Sequence, residues 1–149
     1  MGIKYTITLL FFAIINSNAQ TEILNNVSNY MKNKFEYESL LFVSIEDQKM
    51  YKIKLGEIVK KYEISSSKYG TGSAEGSNKT PIGLHRVKEK YGANVPINGR
   101  MIGRVFYGQI ANIYEDTTSS KTDDITSRIL WLNGLEEGIN KGDGIDSYK

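Results

Sequence analysis

From residue 21 to residue 35 the apolar positions Ile23, Leu24, Val27, Tyr30, Met31 and Phe35 recur at three- and four-residue steps, the spacing of one face of an α-helix. Thr21 stands where it can cap the start, and Glu22 falls in the first turn near the positive end of the helix dipole. Beyond Glu38 the period changes. Leu40-Leu41-Phe42-Val43-Ser44-Ile45 is a short run of strand formers closed by the polar turn Glu46-Asp47-Gln48. Tyr51, Ile53 and Leu55 then alternate with Lys52 and Lys54, which predicts a strand with one dry face and one wet face. Gly56-Glu57 breaks it, and Ile58 to Ile64 reads as a third strand running back, so a meander of three strands is expected.

Residues Ser65 to Lys79 are mostly Ser, Gly, Lys, Asn and Glu. That composition buries no core and predicts a long surface loop, which Gly70, Gly72 and Gly76 would make mobile. Thr80-Pro81-Ile82-Gly83-Leu84-His85-Arg86-Val87 resumes extended structure, with Pro81 setting the entry and Gly83 leaving room for close backbone approach. Lys88 to Gly103 is loop-rich and shows no period clear enough to assign. Arg104 to Tyr114 reads as a strand interrupted by Gly108, and Ile125 to Leu132 as one last strand stopped by Asn133-Gly134. The pattern is that of a mainly β fold with a short N-terminal helix.

Composition narrows the classes. A chain of 149 residues suits one modest domain, and 40% hydrophobic with 24% charged residues is ordinary globular usage. The net charge is +2 with no long basic run, which argues against a nucleic-acid partner. Cysteine is absent, so disulfides, thiolate metal sites and a thiol nucleophile are excluded within these residues. At the start, Lys4 precedes the apolar run Ile7 to Ile15, too short to span a hydrocarbon core of roughly 30 Å, and Ser17-Asn18-Ala19 supplies small residues. We read residues 1–19 as a signal peptide cleaved after Ala19, giving a periplasmic or secreted protein with no stable membrane anchor, with a membrane anchor as the alternative reading of the segment.

Few side chains offer chemistry. His85 is the lone histidine; by itself it reads as a hydrogen-bonded, partly buried side chain. Gly76-Ser77-Asn78-Lys79-Thr80 departs from a phosphate-binding loop, because Asn78 replaces the glycine before Lys79 and the opening glycine is missing. The carboxylate pairs Asp123-Asp124, Glu136-Glu137 and Asp143 with Asp146 read as solvated turns, with weak calcium binding at the last pair as the alternative. Ser65, Ser66 and Ser67 have no second histidine to form a hydrolase triad. No cofactor is expected.

The succession of Leu40–Ile45, Gln48-Lys49-Met50-Tyr51, Tyr62-Glu63-Ile64-Ser65, Gly70, Gly72 and above all Asn78-Lys79-Thr80-Pro81-Ile82-Gly83-Leu84-His85 resembles the L,D-transpeptidase catalytic-domain family of the YkuD type. Ile125 to Glu136 looks like the strand leading toward that family's active site. The resemblance divides the chain into a signal peptide at 1–19, a helix and linker at 20–37, and the N-terminal portion of an L,D-transpeptidase-like β-sandwich at 38–149. It implies acyl transfer between peptidoglycan stem peptides, in which the cysteine of a Ser-His-Gly-Cys motif attacks a tetrapeptide stem and a neighbouring stem amine resolves the thioester. Thr80, Pro81, Gly83 and His85 would line the groove for the stem. Neither that motif nor the Ile-His-Gly strand before it occurs here. The resemblance therefore implies a domain truncated before its nucleophile and inactive as given, with apolar residues such as Ile129, Trp131 and Leu132 left uncovered. A non-catalytic peptidoglycan-binding or vestigial module is the alternative.

Overall fold

The computed structural model describes residues 19–32, 38–118, 120–122 and 124–145. The expected leader before Ala19 and the helix end at Phe35 lie outside the described residues. A helix, α1, spans 19–31, with Ile23, Leu24, Val27 and Met31 on its less exposed stripe and Val27 buried. These positions recur at steps of one, three and four residues, so the amphipathic spacing is realised as one covered face. Among the described residues no helix is long and apolar enough to cross a membrane.

The chain divides into two compact units, Met1–Ser66 and Ser67–Lys149. In the first, β1 (Ser39–Ser44), β2 (Lys49–Lys54) and β3 (Glu57–Glu63) form the expected antiparallel meander in the order β1-β2-β3. Register explains its stability: Leu40 faces Ile53, Phe42 faces Tyr51, and Ile53 faces Ile58. These side chains fall on one side of the pleat, where Ile53 is 0% exposed and Tyr51 5%. The Phe42 and Tyr51 rings sit 6.2 Å apart. Lys52 and Lys54 point to the exposed side, as the alternation requires.

Both turns of the meander are held by local chemistry. Leu55 and Gly56 take φ of 49° and 78°, the paired positive values that let a two-residue loop match the twist of its strands. At the other turn Ser44 Oγ donates to Asp47 Oδ2 at 2.9 Å and accepts the Asp47 N–H at 3.2 Å. Gln48 then secures the end of the unit, its amide donating to Ile45 O at 2.6 Å and Ser66 Oγ at 2.8 Å and accepting Ser66 N–H at 2.9 Å.

The second unit contains β4 (His85–Tyr91) paired with β8 (Ile129–Gly134), and a three-stranded sheet in the order β6-β5-β7, from β5 (Gly99–Ile102), β6 (Val105–Ile110) and β7 (Ile125–Thr126). All pairings are antiparallel. Within the loop-rich stretch after Lys88, β4 runs to Tyr91 and β5 begins at Gly99; β4 pairs with the distant β8, and β5 with both β6 and β7. Two expectations need correction. The strand expected over Ile125–Leu132 is two strands, because Ser127 turns to φ 63° and lets β7 and β8 join different sheets. Ile129, Trp131 and Leu132 are half-buried, for Arg104 packs over the Trp131 ring at 4.0 Å and Lys88 at 4.7 Å. Lys88 is the extra residue of a bulge between Val87 and Glu89, the kind of irregularity that re-aims a side chain.

Truncating Ile53 to alanine removes a fully enclosed side chain. We expect it to lower stability by about 2–5 kcal/mol in denaturant unfolding, while Leu41→Ala, on the exposed side of β1, should cost far less.

Candidate functional site

The polar segment from Ser67 to Thr80 folds back on itself rather than wandering. Thr80 N–H donates to Gly70 O at 3.0 Å, and Gly72 N–H donates to Thr80 O at 2.9 Å. The Thr80 hydroxyl accepts the Ser67 N–H at 2.8 Å, and the Ser67 hydroxyl donates to Asn78 O at 2.6 Å. Ala74 bridges to Ile145, with Glu75 N–H donating to Gly144 O at 3.0 Å. The glycines therefore lie in a surface loop tied at its two ends and its middle by hydrogen bonds. Their φ values of 79°, 151° and 70° at Gly70, Gly72 and Gly76 are what the tight folding uses.

Next comes the passage Thr80–His85, whose extended course is broken at Gly83, with φ of 88°. Strand β4 begins only at His85, which pairs with Gly134 of β8. Immediately after β8 the chain turns back over this passage. Leu135 N–H donates to Leu84 O at 3.0 Å, and the Glu136 carboxylate accepts the Leu84 N–H at 2.6 Å. Asn140, 0% exposed, donates through Nδ2 to Ile82 O at 2.9 Å and Leu84 O at 3.1 Å, while its Oδ1 accepts the Glu136 N–H at 2.9 Å. Asn140 N–H closes the turn on Glu136 O at 3.0 Å.

Gly83 makes this clasp feasible. A Cβ there would lie 2.5 Å from Glu136 Oε2 and 2.8 Å from Asn140 Nδ2, closer than atoms of a side chain tolerate. His85 is half-buried; its Nδ1 lies 3.0 Å from Gly83 O, and its Nε2 is covered and has no hydrogen-bond partner among the described residues. Thr80, Pro81, Gly83 and His85 thus belong to one continuous passage. Sequence reasoning missed Glu136 and Asn140, the groups that hold it. Glu136 had been read with Glu137 as a solvated pair, and only the return of the chain after β8 brings it to Leu84.

The sequence model of the YkuD family, the L,D-transpeptidase catalytic domain, matches residues 38–141. The chain belongs to this family. Comparison with curated proteins and with solved structures gives no match. In the transpeptidase family the acyl group is carried by a cysteine thiol, and the 149 residues contain no cysteine. The Ser67 hydroxyl donates to Asn78 O, and Ser66 Oγ accepts from Gln48. No cluster of three or more His, Cys, Asp or Glu among the described residues could hold a metal ion.

At the far end of the β4–β8 pair from the Thr80–His85 passage, Tyr91 and Trp131 pack at 6.1 Å with Arg104 over both rings. The Tyr91 hydroxyl donates to Glu89. That bond, then desolvation and the nearby Glu89 charge, raise the phenol above its ordinary value, against the lowering influence of Arg104. A raised phenol favours the folded state below the unfolded value of about 10, and this contribution fades as pH rises through the folded value.

Two measurements test these contacts. Gly83→Ala should lower unfolding stability by about 2 kcal/mol or more, through backbone strain at positive φ and displacement of the clasp. Glu89→Gln should bring the Tyr91 titration, followed by NMR of the labelled ring, down toward the ordinary phenol range; an unmoved midpoint would reject Glu89 as the cause.

Proposed function

We propose that this domain holds a peptidoglycan stem peptide along Thr80, Pro81, Gly83 and His85, as the substrate-side wall of an exported L,D-transpeptidase, and that these 149 residues alone carry out no acyl transfer. Membership of the family supports the substrate class. The observation that carries the reading is the clasped passage itself: the Ile82 and Leu84 carbonyls and the Leu84 N–H are fixed by Asn140 and Glu136. An ordered wall binds a flexible peptide with less loss of conformational freedom than a mobile loop does.

Transfer in this family proceeds by covalent catalysis. A thiol, its proton drawn off by a nearby histidine, adds to the stem carbonyl and expels D-alanine, and an acceptor amine then releases the acyl group. Without cysteine the first bond cannot form. The same absence favours a second reading, a peptidoglycan-binding module without catalysis. Export to the periplasm is supported by Lys4, the apolar run Ile7–Ile15 and the small residues before Gln20.

Co-sedimentation of the purified chain with peptidoglycan sacculi tests the proposal. We expect folded protein in the pellet, its release by excess tetrapeptide stem, and no D-alanine liberated. Folded protein that stays in the supernatant would reject the groove, and D-alanine release by the cysteine-free chain would reject the claim of inactivity.

A further inference from the structure

Glu136 and Asn140 have no role in the family chemistry described above, yet they grip three successive peptide planes of the passage. The central plane joins Gly83 to Leu84. A trans peptide directs its C=O and N–H to opposite sides. Glu136 Oε2 takes the Leu84 N–H at 2.6 Å, so the Gly83 carbonyl is turned the other way, where His85 Nδ1 meets it at 3.0 Å. The flanking carbonyls of Ile82 and Leu84 are held by Asn140 Nδ2, which prevents the plane from rotating. A carboxylate on the N–H also polarises the peptide and strengthens its carbonyl as an acceptor.

A carbonyl oxygen only accepts, so the nitrogen facing it must carry the proton. In the neutral ring Nε2 then holds the lone pair, shielded from water and without a partner among the described residues. We infer that Glu136 and Asn140 are positioning residues for His85: through the Gly83–Leu84 peptide they fix its imidazole as the Nδ1–H tautomer and leave Nε2 as its one acceptor. This tautomer does not rest on the groove reading above.

His85 is the single histidine of the chain, so ring-nitrogen NMR of the ¹⁵N-labelled full chain reads one residue. At about pH 8, above the ordinary imidazole range, we expect a protonated-type Nδ1 and an unprotonated-type Nε2. E136A and N140A should lose this pattern, with both nitrogens moving toward the averaged positions of a ring exchanging between tautomers. E136Q should keep it, because an amide oxygen still accepts from Leu84. If the alanine variants do not fold, N140D, which retains an acceptor for Glu136 N–H but loses the donors to Ile82 and Leu84, should show the same loss. An Nε2–H pattern in the unaltered chain, or an unchanged pattern in folded E136A, overturns the inference.

Discussion

The second unit depends on one steric permission. At Gly83 the backbone takes a φ that L side chains rarely adopt, and a Cβ would collide with the carboxylate and the amide that clasp the chain. Everything nearby follows from that vacancy. Glu136 approaches the Leu84 amide, Asn140 becomes fully enclosed with its polar atoms met, and the two carbonyls it covers are satisfied without water. A buried asparagine without those partners would be destabilising. With them it acts as a polar centre where no apolar cluster is available.

The two units obtain order in different ways. In the first, β2 places Tyr51 and Ile53 on a single dry face, and apolar burial between paired strands suffices. In the second, Met101 is the one buried hydrophobic residue among the described ones, and others, such as Ile97, Ile102 and Val105, are 80%, 70% and 66% exposed. Hydrogen bonds from side chains to the backbone carry a larger share there. Such bonds are directional, so they fix peptide planes more sharply than contact between apolar side chains does.

That contrast explains what could be read from sequence. The helix and the β1-β2-β3 meander announce themselves through periods of about 3.6 and 2, because each buries one face. The Thr80–His85 segment was recognisable by its residues and their order. The clasp was not, since Glu136 and Asn140 lie more than fifty residues from the positions they hold and follow no period. Nor was the division of Ile125–Leu132 into two strands: the apolar run is continuous in sequence, while Ser127 reverses the backbone between them. The hydrogen bonds inside the loop at 67–80 were not legible either, because composition reports what cannot form a core, not whether hydroxyls such as those of Ser67 and Thr80 will lock backbone turns.

Family membership and the absent thiol bear on different parts of a catalytic cycle. Covalent chemistry needs a nucleophile, and these residues hold none. Recognition needs a surface whose donors and acceptors keep their directions before the ligand arrives, since orienting them afterwards costs free energy that would otherwise favour binding. On the proposed groove reading, a clasp that fixes the planes on both sides of Gly83 meets the second requirement without reference to the first. Losing the thiol would therefore abolish transfer while leaving the passage shaped, whereas disturbing Gly83 would disorganise the passage whether or not a thiol stood beside it.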